Sequence, residues 1–188
     1  MTQNHKIALA HYSSYHLTWQ LAKKMNIKNV HEVPKIQKII LSTSSKQLVT
    51  QKNQISIHFY LLELIANQRG LATRTKKSIS NFKIKRGLPI GVKLTLRNLN
   101  MNQFLNKLIQ FNLPKTKNLN LIAQNSFDSK GNFTIGLTDL FIFKEIENEY
   151  ELFKSLNGIN VTVVLNSNNI KINRFLLRGL LFPVELNY

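Results

Sequence analysis

Apolar and polar positions divide the chain into short segments whose period changes from one to the next. Residues 6–25 carry Ile7, Leu9, Tyr12, Tyr15, Leu17, Trp19 and Leu21 at spacings that suit one or two helical segments loosely. Pro34 halts any helix, and IQKIILS (36–42) alternates as a strand. Ile39 and Leu41 fall on one face of it; Lys38, Ile40 and Ser42 fall on the other. Residues 47–67 form the clearest amphipathic helix, with Val49, Phe59, Leu61, Leu62, Leu64 and Ile65 as predicted core contacts and Gly70 as its end. A short strand at LATRT leads into a basic loop, which returns as GVKLTLR (91–97). There Val92, Leu94 and Leu96 oppose Lys93, Thr95 and Arg97.

Asn100 is placed to cap the next helix, MNQFLNKLIQF, with Gln103 completing a capping box, and Pro114 stops it. Residues 114–140 read as irregular around a turn at FDSKGNF, from Asp128 to Gly131. FIFKEI predicts a strand, NEYELFKSL a short helix and INVTVVL a strand after Gly158. NIKINRFLLRGLL predicts a closing helix ended by Gly179 and Pro183. No repeat or linker interrupts the series, so one domain over residues 1–188 is expected. The order predicts an α+β fold, an antiparallel sheet with helices packed on one face. The other face would carry Lys38, Ser42, Thr95, Arg97 and Thr162, and is open to two readings, a hydrated surface or a binding surface.

Charge bears on that choice. The formal net charge is +17, from 26 basic and nine acidic residues, in a chain that is 43% hydrophobic and long enough for a real core. Such an excess opposes compaction unless a polyanion neutralises it, which makes nucleic acid the leading partner and an anionic membrane the second. No apolar run approaches the ~20 residues that span a bilayer. The absence of cysteine excludes disulfides, thiolate metal sites and thiol nucleophiles. The N-terminal stretch has no secretory apolar region and no Arg, so it is read as part of the fold. Enrichment in Asn, Ile, Lys and Leu suggests an AT-rich coding genome.

Candidate chemistry is sparse. His5, His11, His16, His31 and His58 show no metal-ligand spacing, so surface or core roles are expected for them. Asp128 and Asp139 flank a Gly-containing turn and are read as turn residues, not as an acid–base pair. No nucleophile elbow, phosphate loop or dinucleotide fingerprint occurs, and neither a cofactor nor catalysis is expected. GLPIG (87–91) has the wrong spacing for the GxxG loop of KH domains, and the predicted strands lack the aromatics of an RRM sheet. An RNA on the open face would therefore be held mainly through phosphate and 2′-hydroxyl groups. Residues 73–97 hold eight Lys or Arg and no acid. Phe82, the one aromatic there, is either an anchor on the body or a stacking platform.

Four ordered blocks carry a resemblance over residues 28–184: KNVHEVPKIQKIILS; NQRGLATRTKKSISNFKIKRGLPIGVKLTLR; LPKTKNLNLIAQNSFDSKGNFTIGLTDLFIFKEI; and GINVTVVL with LLRGLLFP. The chain resembles the fifth protein of the large-subunit ribosomal series in its bacterial and organellar form. The resemblance implies a structural constituent of the central protuberance that binds 5S-type rRNA and large-subunit rRNA and neighbours other protuberance proteins. Lys38, Ser42, Gln68, Lys93, Thr95 and Arg97 are then the expected rRNA contacts. Loop 74–90 resembles the family's tRNA loop, which reaches the elbow of P-site tRNA through Arg74, Lys76, Lys77, Ser78, Phe82, Lys83, Lys85 and Arg86. Residues 113–145 resemble the part that bridges to protein thirteen of the small-subunit head. Ser42 stands where the family has an RNA-contacting Asn, Lys144 where FPEI is expected and Asn160 where Asp is usual; VELNY is an extra tail. These departures suggest a mitochondrially encoded copy, with a bacterial cytoplasmic or plastid protein as the alternative. A free-standing organellar RNA-binding protein is the alternative function.

Overall fold

The computed structural model describes residues 16–116 and 126–184. The expectations for residues 1–15, for the 117–125 part of the bridge region and for tail residues 185–188 lie outside them. Five strands form one antiparallel sheet in the order β2-β3-β1-β5-β4. They are β1 Ile36–Ser44, β2 Leu71–Arg74, β3 Pro89–Leu96, β4 Phe133–Leu137 and β5 Ile159–Leu165. Seven α-helices accompany them among the described residues: α1 Thr18–Lys24, α2 Gln47–Thr50, α3 Ile55–Ala66, α4 Asn98–Lys107, α5 Lys144–Glu147, α6 Tyr150–Phe153 and α7 Ile170–Gly179. The α+β expectation is therefore met. No helix among them is long and apolar enough to cross a membrane.

The described residues divide into two compact units, each built from discontinuous segments: those within 1–39, 97–135 and 162–188, and those of 40–96 and 136–161. In the second unit, β2 pairs antiparallel with β3 through Leu71↔Lys93, Ala72↔Val92 and Thr73↔Gly91. Helix α3 lies on the Val92 side of β3. A Cβ on Gly70 would come within 2.7 Å of Val92 Cγ1, so the turn after α3 sits directly on that strand. Burial of Leu61, Leu62 and Ile65 against Val92, Leu94 and Leu96 supplies the apolar contact. In the first unit, Phe133, Ile135, Val163 and Leu165 of the strands and Leu176, Leu177, Leu180 and Phe182 of the closing helix and its end are all buried. The Phe133 and Phe182 rings meet edge-on at 5.7 Å. Asn173 of α7, fully buried, donates from Nδ2 to Gly131 O at 3.0 Å and Ser167 O at 2.6 Å, joining the loop before β4 to the loop after β5.

Several boundaries differ from expectation. The helix predicted over 47–67 is broken into α2, a 3-10 turn at Lys52–Gln54 and α3. Leu48, not Val49, is the buried residue of the first piece. Helix α3 ends at Asn67, which adopts a left-handed φ of 51° and donates its N–H to Glu63 O, three residues before Gly70. Helix α4 starts at Asn98, so Asn100 lies inside its first turn and the predicted capping box does not form. Pro114 sits inside a 3-10 turn that prolongs the helix past a π-type turn at Leu108–Asn112. The strand predicted at FIFKEI is a turn followed by α5, because Asp139 Oδ1 takes the Phe141 N–H and the chain curls to bury Phe143 and Ile146. The neighbouring strand is instead FTIGL, within the stretch read as irregular, with Phe133, Ile135 and Leu137 inward.

Candidate nucleic-acid interface

Strand alternation builds the first surface. On β3, Lys93 is exposed and Thr95 half-buried between the buried Val92, Leu94 and Leu96. The register places Leu71 beside Lys93 and Thr73 beside Gly91 on the same side. On β1, Lys38, Ile40 and Ser42 are half-buried and alternate with the buried Ile39, Leu41 and Thr43, as expected. Gly91 is where β1 and β2 crowd β3. A Cβ there would stand 2.6 Å from Thr43 O and 3.1 Å from both Ser44 Cβ and Thr73 Oγ1. Glycine thus keeps this face flat between Ser44 and Thr73. Arg97 lies one residue past β3, exposed and extended at φ −139° and ψ 163°, as the residue that enters α4. Thr162, on β5, meets the hydroxyl of Thr134 on β4 at 3.1 Å.

Gln68 has a structural task at this face. Its Nε2 donates to Thr95 O at 3.0 Å, tying the turn after α3 to the strand that presents Thr95. A second tie lies beneath Ser42 and Ser44. Thr43 Oγ1 donates to Gly158 O at 3.1 Å and stands 3.1 Å from Nδ1 of the fully buried His58. The threonine has one proton, so His58 must donate from Nδ1, and burial pushes the imidazole pKa down. Above them a polar notch of ≈ 200 Å³ is lined by Ser42, Ser44, Thr138, Asn157 and Asn160. Sequence reading passed over Ser44, Thr73, Thr138 and Asn157. For Ser44 and Thr73 the period-two pattern held the signal; for Thr138 and Asn157, loop residues, it held none.

The basic loop is a folded tongue. Thr75 N donates to Leu88 O and Gly87 N to Thr75 O, while Ile79 and Ile84 pair as an isolated antiparallel bridge. The Thr75 hydroxyl donates to Lys85 O at 2.6 Å and accepts from Leu88 N at 3.1 Å. Ser78 Oγ accepts from Arg86 N at 3.1 Å, so this predicted contact residue also holds the loop's shape. Lys83 closes the tip in the left-handed region, at φ 55°. Arg74, Lys76, Lys77, Lys83, Lys85 and Arg86 are all exposed, and no Asp or Glu occurs between Glu63 and Asp128. Phe82 is 67% exposed, which removes the reading of it as an anchor on the body.

No three His, Cys, Asp or Glu among the described residues could hold a metal ion. The paired-turn reading of Asp128 and Asp139 is sustained. Asp128 accepts from Lys130 N, Asn132 N and Asn132 Nδ2 at 2.7 to 3.0 Å, and the Asn132 amide leads in lowering its pKa.

Comparison with known proteins agrees with this architecture. The family model described as Ribosomal protein L5 matches residues 29–85, and the model for the C-terminus of the same ribosomal family matches residues 89–184. Large ribosomal subunit protein uL5m of Reclinomonas americana is 42% identical over 167 residues, 89% of this chain and 91% of the relative. Large ribosomal subunit protein uL5 of Thermosipho melanesiensis is 39% identical over 165 residues, 88% and 90% of the two chains. Its counterpart in Brachyspira hyodysenteriae is 37% identical over 163 residues, 87% and 86%. With both halves of the fold matched and relatives of full length on either side of 40% identity, this chain belongs to the ribosomal protein L5 family, structural and non-enzymatic constituents of the large ribosomal subunit.

Proposed function

We propose that this chain serves a mitochondrial ribosome in three ways: the open face of β2, β3 and β1 holds 5S-type rRNA, the 74–90 tongue meets the elbow of P-site tRNA, and the acid-bearing segment reaches the small-subunit head. The observation that carries the tRNA reading is the tongue. Its backbone is ordered by Thr75 and Ser78, while Arg74, Lys76, Lys77, Lys83, Lys85, Arg86 and Phe82 all reach solvent. Cations on a pre-shaped loop attract phosphate without reading sequence, which suits a ligand replaced at every elongation step. On the sheet, Ser42, Lys93 and Thr95 offer short donors and one charge to a backbone, as shape recognition of RNA requires. Arg97 and Lys38 add cations, and Gln68 acts by placing Thr95.

The third surface differs in sign. Asp128, Asp139 and Glu145 fall within the 113–145 bridge region and Glu147, Glu149 and Glu151 directly after it, in a chain that has nine acids in all. RNA would be repelled there, and a basic protein such as protein thirteen of the small subunit fits. The mitochondrial setting rests on the uL5m relative and on the Asn-, Ile- and Lys-rich composition.

The test replaces Lys76, Lys77, Lys83, Lys85 and Arg86 together by Gln in the full chain. Expected are normal melting, normal incorporation with 5S-type RNA, and loss of crosslinking to P-site tRNA. Ribosomes that carry this variant and still hold P-site tRNA normally would sink the loop assignment.

A further inference from the structure

One surface belongs to neither the sheet face nor the tongue. Helix α1 is fixed by its apolar side: Leu17 and Leu21 are buried, and a Cβ on Gly179 would overlap Leu17 Cδ2, so α1 lies directly on α7. Lys24 Nζ sits 4.1 Å from the centroid of the Phe175 ring and pins the other end. Trp19 is two residues from each buried leucine, hence roughly 200° round the helix from them. It is held outward, 71% exposed, and it is the only tryptophan of the chain.

The surroundings of Trp19 identify a ligand class. Gln20 and Lys23 are exposed, and Lys23 is four residues on, over the same face. No Asp or Glu precedes Glu32 in the sequence, and Lys28 is exposed beyond the helix. A flat indole beside a cation, in acid-free surroundings, matches an unpaired nucleobase with its own phosphate. An acidic protein would also meet the charge, but it gives the indole face no planar partner. A lipid surface would need a broad apolar stripe, whereas the other apolar residues of α1 are turned onto α7.

We infer that Trp19, Gln20 and Lys23 form a separate RNA contact in which the indole stacks on an unpaired base and Lys23 neutralises the adjoining phosphate. This contact does not depend on the assignments of the tongue and the sheet face.

Intrinsic fluorescence tests it, because the signal comes from one residue. The chain with the five tongue cations replaced by Gln is titrated with an RNA hairpin bearing an unpaired purine loop, and with a blunt RNA duplex of matched composition. The free protein should emit as a solvated indole, and the hairpin should quench it far more than the duplex does. Trp19→Ala should weaken hairpin binding by about fivefold to a hundredfold, and Trp19→Phe should restore most of it. Lys23→Gln should lower the salt slope by about one. Equal affinity of Trp19→Ala and the parent for the hairpin would overturn the inference. So would blue-shifted emission that becomes solvated when residues 1–15 are removed, which would make the chain's own N-terminus the occupant. Quenching by an acidic protein or by anionic vesicles, with none by the hairpin, would overturn it in favour of those partners.

Discussion

His58 shows how a single buried group sets the condition under which the open face exists. Its ring donates through Nδ1 to Thr43, and Thr43 donates to Gly158 O, so one chain of hydrogen bonds fixes the strand that carries Ser42 and Ser44. Nε2 is buried with no partner. A second, charged N–H at that atom would have no acceptor, and desolvation accordingly lowers the pKa from the ordinary value of 6.5. The sign follows from linkage. Above about pH 6.5 the ring is neutral in folded and unfolded chains alike, and stability is at its full value. As the pH falls below that value the unfolded chain takes up the proton first, and stability is lost until the folded-state pKa is passed. Asp128 is also depressed, by its bonds from Asn132 and Lys130, but a depressed carboxylate loses its contribution only in stronger acid. Between about pH 7.5 and pH 5.5 the fall in melting temperature should therefore be smaller in His58→Gln than in the parent. Parallel curves for the two proteins would show that His58 is not the titrating group. Sequence offered only five isolated histidines, and nothing in their spacing marked this one, because its partner is fifteen residues away across the α3–β1 packing.

Among the elements, the tongue depends on Thr75 more than on any of its cations. The hydroxyl of this residue ties Lys85 and Leu88, whereas the backbone bonds beside it are those of an ordinary hairpin. Each such bond contributes about 0.5–1.5 kcal/mol net, and the core under α3 does not include them. Thr75→Val should therefore raise amide exchange across residues 75–88 by about tenfold while the melting temperature stays nearly unchanged. Unaltered exchange in that segment would mean that the backbone alone shapes the loop. The strands flanking the tongue were legible from the sequence because alternation is a local property: Ile39 and Leu41, and then Val92, Leu94 and Leu96, face inward where the period-two pattern put them. Elements decided by tertiary contacts were not. FTIGL alternates as strictly as GVKLTLR, but its outward Thr134 and Gly136 supply little polar contrast, and its edge position is set by pairing with β5. In FIFKEI the local bond from Phe141 to Asp139 outweighed strand propensity. Side-chain roles within the site were less legible still, since Gln68, Thr75 and Ser78 spend polar atoms on backbone groups that no sequence pattern brings beside them.

Over the whole molecule, charge is sorted along the chain, and the sorting separates two kinds of partner. The stretch from Glu63 to Asp128 holds no acid between its ends, whereas five of nine acids fall between Asp139 and Glu151. Surface charges a Debye length apart, about 8 Å in physiological salt, act almost independently. Charge sorted along the sequence in this way gives one segment an attraction for RNA and another an attraction for a cationic partner. The acids are not equivalent. Glu149 accepts from the Tyr60 hydroxyl at 2.6 Å, and Asp139 holds the turn before α5, so both have structural work. Glu151, four-fifths exposed, pairs with Lys154 in a contact of the kind worth little to stability. Glu147→Gln and Glu151→Gln, both at exposed positions, should together leave melting within a degree or two of the parent and leave RNA incorporation unimpaired. Association of the large subunit with the small one should weaken severalfold in low salt, and the deficit should vanish as added salt screens the parental attraction as well. If the double variant joins subunits as the parent does at every ionic strength, these two acids are a solvated face and the bridge to the small-subunit head must be built from other residues.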